Sequence, residues 1–263
     1  MMPVEVTQGD SPVILGLPHT GTHIPDDIFA RLNARGQVLA DTDWHIHRLY
    51  DGLLPGATTV RATFHRYVID ANRGPNDASL YPGQNTTGLV PLTDFDGEPI
   101  WTTAPTPAEI ETRKAHFHAP YHAALSAEIE RVRALHGVAI LYDCHSIRSH
   151  IPFLFDGTLP DFNIGTNNGT TCDPRIEAAV ARITAASGRT SVLNGRFKGG
   201  WTTRHYGQPG SGTHAIQMEL AQSTHLQSET PPFAYDDAKA AALRVTLQDI
   251  LTEIAALAAE LKA

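Results

Sequence analysis

Two histidines sit just past short apolar runs. His19 follows Val13-Ile14-Leu15-Gly16-Leu17-Pro18, and His145 follows Val138-Ala139-Ile140-Leu141-Tyr142. Neutral imidazoles at such positions can donate nitrogen lone pairs to a metal ion. Two histidines and one carboxylate would leave a coordination position free for water or a substrate oxygen, which is the pattern of a reactive rather than a structural metal site. The stretch Asp41-Thr42-Asp43-Trp44-His45 offers that carboxylate in either Asp41 or Asp43. Periodicity does not choose between them, and capping of a following helix would account for either residue. Glu219, in His214-Ala215-Ile216-Gln217-Met218-Glu219-Leu220, is placed to act as general base and proton carrier if it approaches the water without joining the ligands. Asp143 could accept a hydrogen bond from the far nitrogen of a ligating imidazole.

A second group is cationic. Arg66, Arg73 and Arg204 each carry a planar fork that matches a carboxylate, and Asn72 adds an amide beside Arg73. Surface solvation is the plainer reading of each arginine. The remaining histidines divide less clearly. His23, His45, His47, His65 and His116 could join a site or stand in water. His118 and His122 lie one helical turn apart but lack the HExxH arrangement, so they read as surface or packing residues.

Several elements must position these side chains. Pro12 to Leu17 reads as a buried strand, Asp27 to Arg35 as a helix, and a second helix begins near Asp43 and ends before Pro55. Thr58 to Phe64 and Tyr67 to Ile69 read as strands. Residues 74–106 are rich in proline and glycine, yet they contain Leu80, Tyr81, Leu89, Val90, Phe95 and Trp101. That composition predicts an ordered excursion packed back on the domain, and loops of this length are commonly functional. Thr106-Pro107-Ala108-Glu109 is a capping-box start for a long helix. Apolar side chains recur at 110, 117, 121, 125, 129 and 132, Pro120 is a possible kink, and Gly137 is a stop. Val138 to Tyr142 then follows as a strand. A helix opens at Asp173-Pro174, a strand covers 191–193, another runs over 214–220 with 217 and 219 on one face, and a helix closes the chain from about Tyr235. Strands alternating with helices predict one α/β domain over 1–263, with its polar clusters at strand carboxyl ends, where such sheets place ligands.

Composition narrows the function classes. The 263 residues carry a net charge near −8, with 41% hydrophobic and 18% charged residues. That is an ordinary globule, large enough to bury a core, and it lacks the basic surface that nucleic acid needs. No apolar run of membrane-spanning length and no signal peptide is visible, so a cytoplasmic protein is expected. Cys144 and Cys172 make no disulfide framework or CxxC knuckle, which fits a reduced compartment. The sequence does not fix oligomeric state.

Six ordered segments carry a resemblance. These are LPHTGTHIP at 17–25, DTDWHIHRLYD at 41–51, FHRYVIDANRGPND at 64–77, YDCHS at 142–146, GGWTTRHYG at 199–207 and HAIQMEL at 214–220, with LYPGQNTTGLVPLTDFDGEPIW between them. Together they resemble the N-formylglutamate amidohydrolase family along nearly the whole chain. The resemblance implies an α/β fold of the phosphorylase/hydrolase-like kind seen in zinc carboxypeptidases and aspartoacylase, with a mixed, mostly parallel sheet flanked by helices. It implies one Zn2+ per subunit on His19, Asp43 and His145, with Asp41 as rival and His47 as an alternative ligand. The carboxypeptidase pattern pairs His and Glu in one short motif. Here His19-Thr20-Gly21-Thr22 has no Glu, so the carboxylate must come from elsewhere. By the same likeness Glu219 is the catalytic glutamate, and Arg73 both binds substrate and assists catalysis. Asn72, Arg66 and Arg204 bind a small acidic N-acyl amino acid. The implied reaction is hydrolysis of N-formyl-L-glutamate to formate and L-glutamate, late in histidine degradation. A related deacylase and a noncatalytic metal-stabilised binding protein are the alternatives.

Overall fold

The structure, a computed structural model, describes residues 2–261. Its centre is a seven-stranded sheet in the order β1-β3-β2-β4-β7-β5-β6. The strands are β1 (Val4–Thr7), β2 (Val13–Leu17), β3 (Thr58–Ala62), β4 (Ala139–Ile147), β5 (Phe162–Gly165), β6 (Ser191–Leu193) and β7 (Thr213–Ala221). The run β3-β2-β4-β7 is parallel, while β1 pairs antiparallel with β3 and β5 antiparallel with β7. A mixed, largely parallel sheet flanked by helices is therefore what the alternating strand and helix signals produce.

The helices are α1 (Asp26–Phe29), α2 (Ile46–Tyr50), α3 (Pro107–Arg113), α4 (Ala119–His136), α5 (Pro174–Ala186), α6 (Trp201–Tyr206) and α7 (Asp237–Leu257). One sheet face carries Leu15, Leu17, Tyr142, Cys144, Ile216, Met218 and Leu220, and packs under Leu49, Ile176, Val180, Leu243, Leu247 and Ile250. The other carries Ile14, Val60, Leu141 and Ala215, and packs under Tyr121, Leu125, Ile129 and Val132 of α4. Leu125 is fully buried, and truncating such a residue to alanine costs about 2–5 kcal/mol.

α3 and α4 form one rod interrupted by a π-helical turn at Lys114–His118. Thr106 caps α3 with both bonds of the capping box, and Gly137 ends α4 at φ 75°. Pro120 falls in the first turn of α4, where its missing N–H costs little, and the π turn directly before it turns His118 inward.

Four expectations are corrected. The helix expected over 27–35 shrinks to α1, with a separate 3-10 turn at Gly36–Val38. Tyr67-Val68-Ile69 is a buried turn, not a strand; Val68 N bonds to His65 O and Asp70 N to Leu89 O, so its backbone is satisfied locally. β4 runs on to Ile147, so Asp143 and His145 lie within the strand rather than beyond it. β7 includes Glu219, as the strand expected over 214–220 does. Neither Asp41 nor Asp43 caps α2, whose N-terminal flanking residue is His45 in a left-handed conformation at φ 60°.

Residues 74–106 contain no helix and no sheet strand, and they pack back as expected. Leu89, Val90, Phe95 and Ile100 are all buried.

Candidate active site and metal centre

β4 and β7 supply one wall by register. In this parallel pair Asp143 stands beside Gln217 and His145 beside Glu219. Alternation sends Tyr142, Cys144, Met218 and Leu220 into the α7 side of the core. The four polar residues therefore share the opposite face, at the carboxyl ends of two central strands. Gln217 is fixed by accepting from Gly200 N at 2.7 Å, and its Nε2 donates to Glu219 Oε2 at 3.3 Å.

His19 lies two residues beyond β2. The chain from 39 to 45 loops towards it, with Leu39 and His45 both at positive φ, and Asp43 N bonds to His19 O at 3.1 Å. Gln222 Nε2 and His225 Nε2, just after β7, donate to the carbonyls of Thr42 and Trp44 and hold this loop in place.

The result is a buried cluster of His19, Asp43 and His145, whose ligand atoms lie within 4.8 Å of one another and could coordinate a divalent metal. Asp43 Oδ2 is 3.8 Å from His19 Nδ1 and 3.1 Å from His145 Nδ1. His19 Nε2 is held by Asp70 Oδ1 at 2.7 Å, so its proton sits there and its Nδ1 keeps a lone pair. That Nδ1 is buried and has no hydrogen-bond partner. Without a cation such an orphan is costly; with one it is a ligand. His145 supports the same reading. Its Nε2 lies 3.2 Å from Asn72 Nδ2 and 3.2 Å from Asp143 Oδ1, and Asp143 Oδ1 is otherwise unpartnered. With Nδ1 as a metal donor, the ring would carry its proton on Nε2 and donate it to Asp143 Oδ1 rather than accept from Asn72 Nδ2. Two imidazoles, one carboxylate and two supporting carboxylates fit a divalent metal ion.

Charge compensation is tight. Arg66 Nη2 donates to Asp43 Oδ1 at 2.9 Å, and its Nη1 lies 3.9 Å from Asp70 Oδ2. Burial would raise the Asp43 pKa, but Arg66 above all, with the histidines, holds it below the ordinary value. Burial would lower the His145 pKa, but Asp143 and Asp43 raise it well above that of a free imidazole. Glu219 is different. Burial dominates and pushes its carboxyl up to about 8, against the attraction of His145 and Arg66. A carboxylate tuned toward neutrality in a cavity wall is suited to proton transfer.

The two other candidate ligands lie outside this cluster. Asp41 Oδ2 accepts from Tyr67 Oη at 2.8 Å and Phe95 N at 3.0 Å, and burial raises its pKa to about 7. His47 Nδ1 pairs with Thr20 Oγ1 at 2.6 Å.

A cavity open to solvent spreads from His19, His145 and Glu219 past Arg66, Asn72 and Arg73. A concave site with several convergent polar groups suits a small molecule. Asn72 and Arg73 are presented by a braced loop. Asn72 N bonds to Asp70 Oδ1, Asn72 Oδ1 accepts from Thr202 N, and the amide orientation is thereby set. His122 Nε2 and His118 Nε2 donate to the carbonyls of Ala71 and Arg73. His118 and His122 are thus packing residues with a defined task, and burial lowers both their pKa values. Gly200 permits the close approach of Asn72, since a Cβ there would stand 2.2 Å from Asn72 Nδ2.

Arg204 does not line this cavity. Its Nε donates to Gly199 O, its Nη1 to Leu80 O, and its guanidinium lies 4.9 Å from the Tyr81 ring, so it buttresses the wall from behind. Two site features were missed from sequence. Asp70 has no role in the sequence reading, although Asp70-Ala71-Asn72-Arg73 is contiguous with residues singled out. Arg196, between Asn194-Gly195 and Phe197-Lys198-Gly199-Gly200, lines the cavity and gave no signal beyond its neighbouring glycines.

Residues 11–226 match the N-formylglutamate amidohydrolase family. The chain is 46% identical over 253 residues to an N-formylglutamate deformylase of Pseudomonas aeruginosa, covering 95% of this chain and 94% of that protein. It is 46% identical over 258 residues to an N-formylglutamate deformylase of Pseudomonas putida, covering 96% of each. The crystal structure of an N-formylglutamate amidohydrolase from Ralstonia eutropha is similar with a TM-score of 0.82 and 26% identity, over 97% of this chain and 98% of that one. With its ordered motifs brought together around one buried donor cluster, this chain belongs to the N-formylglutamate amidohydrolase family.

Proposed function

We propose that this protein hydrolyses N-formyl-L-glutamate to formate and L-glutamate, with one Zn2+ per chain held by His19, Asp43 and His145. The observation that carries the reading is the buried, unpartnered His19 Nδ1 facing Asp43 beside a cavity that Glu219 also lines. The two Pseudomonas relatives, named as deformylases of this substrate, support it.

When bound, zinc lowers the pKa of a coordinated water and polarises the carbonyl oxygen of the scissile amide. The chain's own residues do the rest. Arg66, Asn72 and Arg73 line the cavity and hold an acidic substrate by charge-assisted hydrogen bonds. Arg204 contributes indirectly, by fixing Gly199 and the Tyr81 segment. The Glu219 carboxylate accepts the proton of the attacking water and returns it to the leaving amine. Arg73, with Arg66, offers positive charge to the oxygen on which negative charge develops. Asp70 and Asp143 keep the two imidazoles in the required tautomer.

We also propose that the fold is a single domain of the zinc-carboxypeptidase type, as its one continuous sheet suggests. A cytoplasmic role late in histidine degradation fits two buried free cysteines and the absence, among the described residues, of any helix long and apolar enough to cross a membrane. Parallel assays with N-formyl-, N-acetyl- and N-succinyl-L-glutamate test the substrate. Formyl is expected to exceed the others by at least roughly tenfold in kcat/KM, a gap of the size a small pocket can enforce. A preference for acetyl or succinyl overturns the assignment in favour of a related deacylase. Metal and ligand binding with no turnover would indicate a binding protein.

A further inference from the structure

Arg196 is a half-buried cation in the cavity wall with no carboxylate of the chain within 4.0 Å among the described residues. The other two cavity arginines are already engaged. Arg66 is paired with Asp43. Arg73 lies 4.0 Å from Asp70 and directs Nε, Nη1 and Nη2 to Thr87 O, Asn72 O and the Thr86 and Thr87 hydroxyls.

Arg196 is fixed differently. Its Nε donates to Leu154 O at 2.9 Å and its Nη2 to Asn85 O at 2.8 Å, so it ties together the loop after β4 and the 74–106 excursion. The Tyr81 and Phe197 rings flank the guanidinium at 5.3 and 5.4 Å. Among the described residues Nη1 has no hydrogen-bond partner. Burial lowers the Arg196 pKa, against a raising effect of Tyr81 and with a further lowering by the like charge of Arg73. A guanidinium held by two backbone carbonyls, with its remaining N–H groups at the cavity and no carboxylate paired to it, is preorganised to donate charge-assisted hydrogen bonds to a carboxylate.

We propose that Arg196 is the specificity residue for a second carboxylate on the substrate, making the site select dicarboxylic N-acyl amino acids over monocarboxylic ones. The inference rests on the hydrolase reading above and deepens it: the cation that meets the second carboxylate is Arg196, which lines the cavity, not Arg204, which does not.

The test uses metal-loaded wild type, Arg196→Met and Arg196→Lys. Two readouts are taken: kcat/KM for N-formyl-L-glutamate against N-formyl-L-glutamine, and calorimetric binding of glutarate against butyrate. Truncating one partner of a partly buried charge pair predicts a loss of about 100-fold for the dicarboxylate with Arg196→Met. The expected change for glutamine or butyrate is under about threefold. Arg196→Lys keeps the charge without the fork, and roughly a tenfold loss confined to the dicarboxylate is expected. Equal losses on both substrates, or unchanged discrimination in either folded variant, overturn the proposal, because a merely structural Arg196 predicts those results. If wild type turns over neither substrate, yet prefers glutarate and loses that preference in the variants, the hydrolase reading fails and the Arg196 assignment stands.

Discussion

Asp70→Asn changes one charge and almost no volume at the support of the metal cluster. Asp70 is fully buried, and its Oδ1 accepts from His19 Nε2 at 2.7 Å and from Asn72 N at 2.7 Å. Burial opposes its ionisation, but His19, Arg73 and Arg66 draw its pKa well below the ordinary carboxylate value, so it is an anion at neutral pH. A hydrogen bond to a charged partner contributes about 1.5–3 kcal/mol and a neutral one about 0.5–1.5 kcal/mol. The substitution therefore removes about 1–2 kcal/mol of support for the tautomer with Nδ1 free. That corresponds to a loss of about 5- to 30-fold in metal affinity, overlapping the range of about 10- to 100-fold found when supporting partners of metal ligands are removed. Competition against a chromophoric chelator measures the affinity, with thermal melting as control for folding. A folded variant that binds zinc as tightly as wild type would refute the claim that Asp70 orients His19 for coordination.

Three further outcomes are expected. Glu219→Gln lowers kcat by about 10²- to 10⁴-fold while zinc content stays near one per chain; near-wild-type turnover at full metal loading would remove Glu219 from the mechanism. Because burial lifts the Glu219 pKa to about 8, its basic form is lost as pH falls through that value. A kcat/KM profile should therefore fall with unit slope on the acid side at a pH well above the 4.5 of an ordinary glutamate, and a profile flat down to pH 5 contradicts this. Thr106→Ala removes one arm of the capping box on α3 and should destabilise the fold by about 1 kcal/mol in urea denaturation, with catalysis unchanged; loss of turnover at full stability would contradict its purely structural place.

Much of the site was legible because its residues obey local rules. Glu219 and Gln217 share a face by simple alternation, and their placement in β7 is what a period-two reading gives. The capping box at Thr106 and the stop at Gly137 are governed by near neighbours, and both formed as read. Asp41 and Asp43 could not be separated, because two left-handed residues, Leu39 and His45, and the carbonyl of His19 set that loop. The pairing of Asp70 with His19 spans 51 residues and has no local signature. Arg196 and Arg204 are chemically alike in sequence. Each ties down two backbone carbonyls, and only the folded chain makes them different, by placing Arg196 in the cavity wall and Arg204 behind it. Tyr67 to Ile69 had strand-like composition, but bonds to His65 and Leu89 satisfied its backbone first.

The most direct test of the account is a zinc titration of metal-stripped protein, read as formate and glutamate released from N-formyl-L-glutamate. The account predicts no turnover before addition, a linear rise that stops at one equivalent per chain, and no rise in His145→Ala at the same concentrations. Full turnover in the stripped protein, or none with one zinc bound, would contradict it.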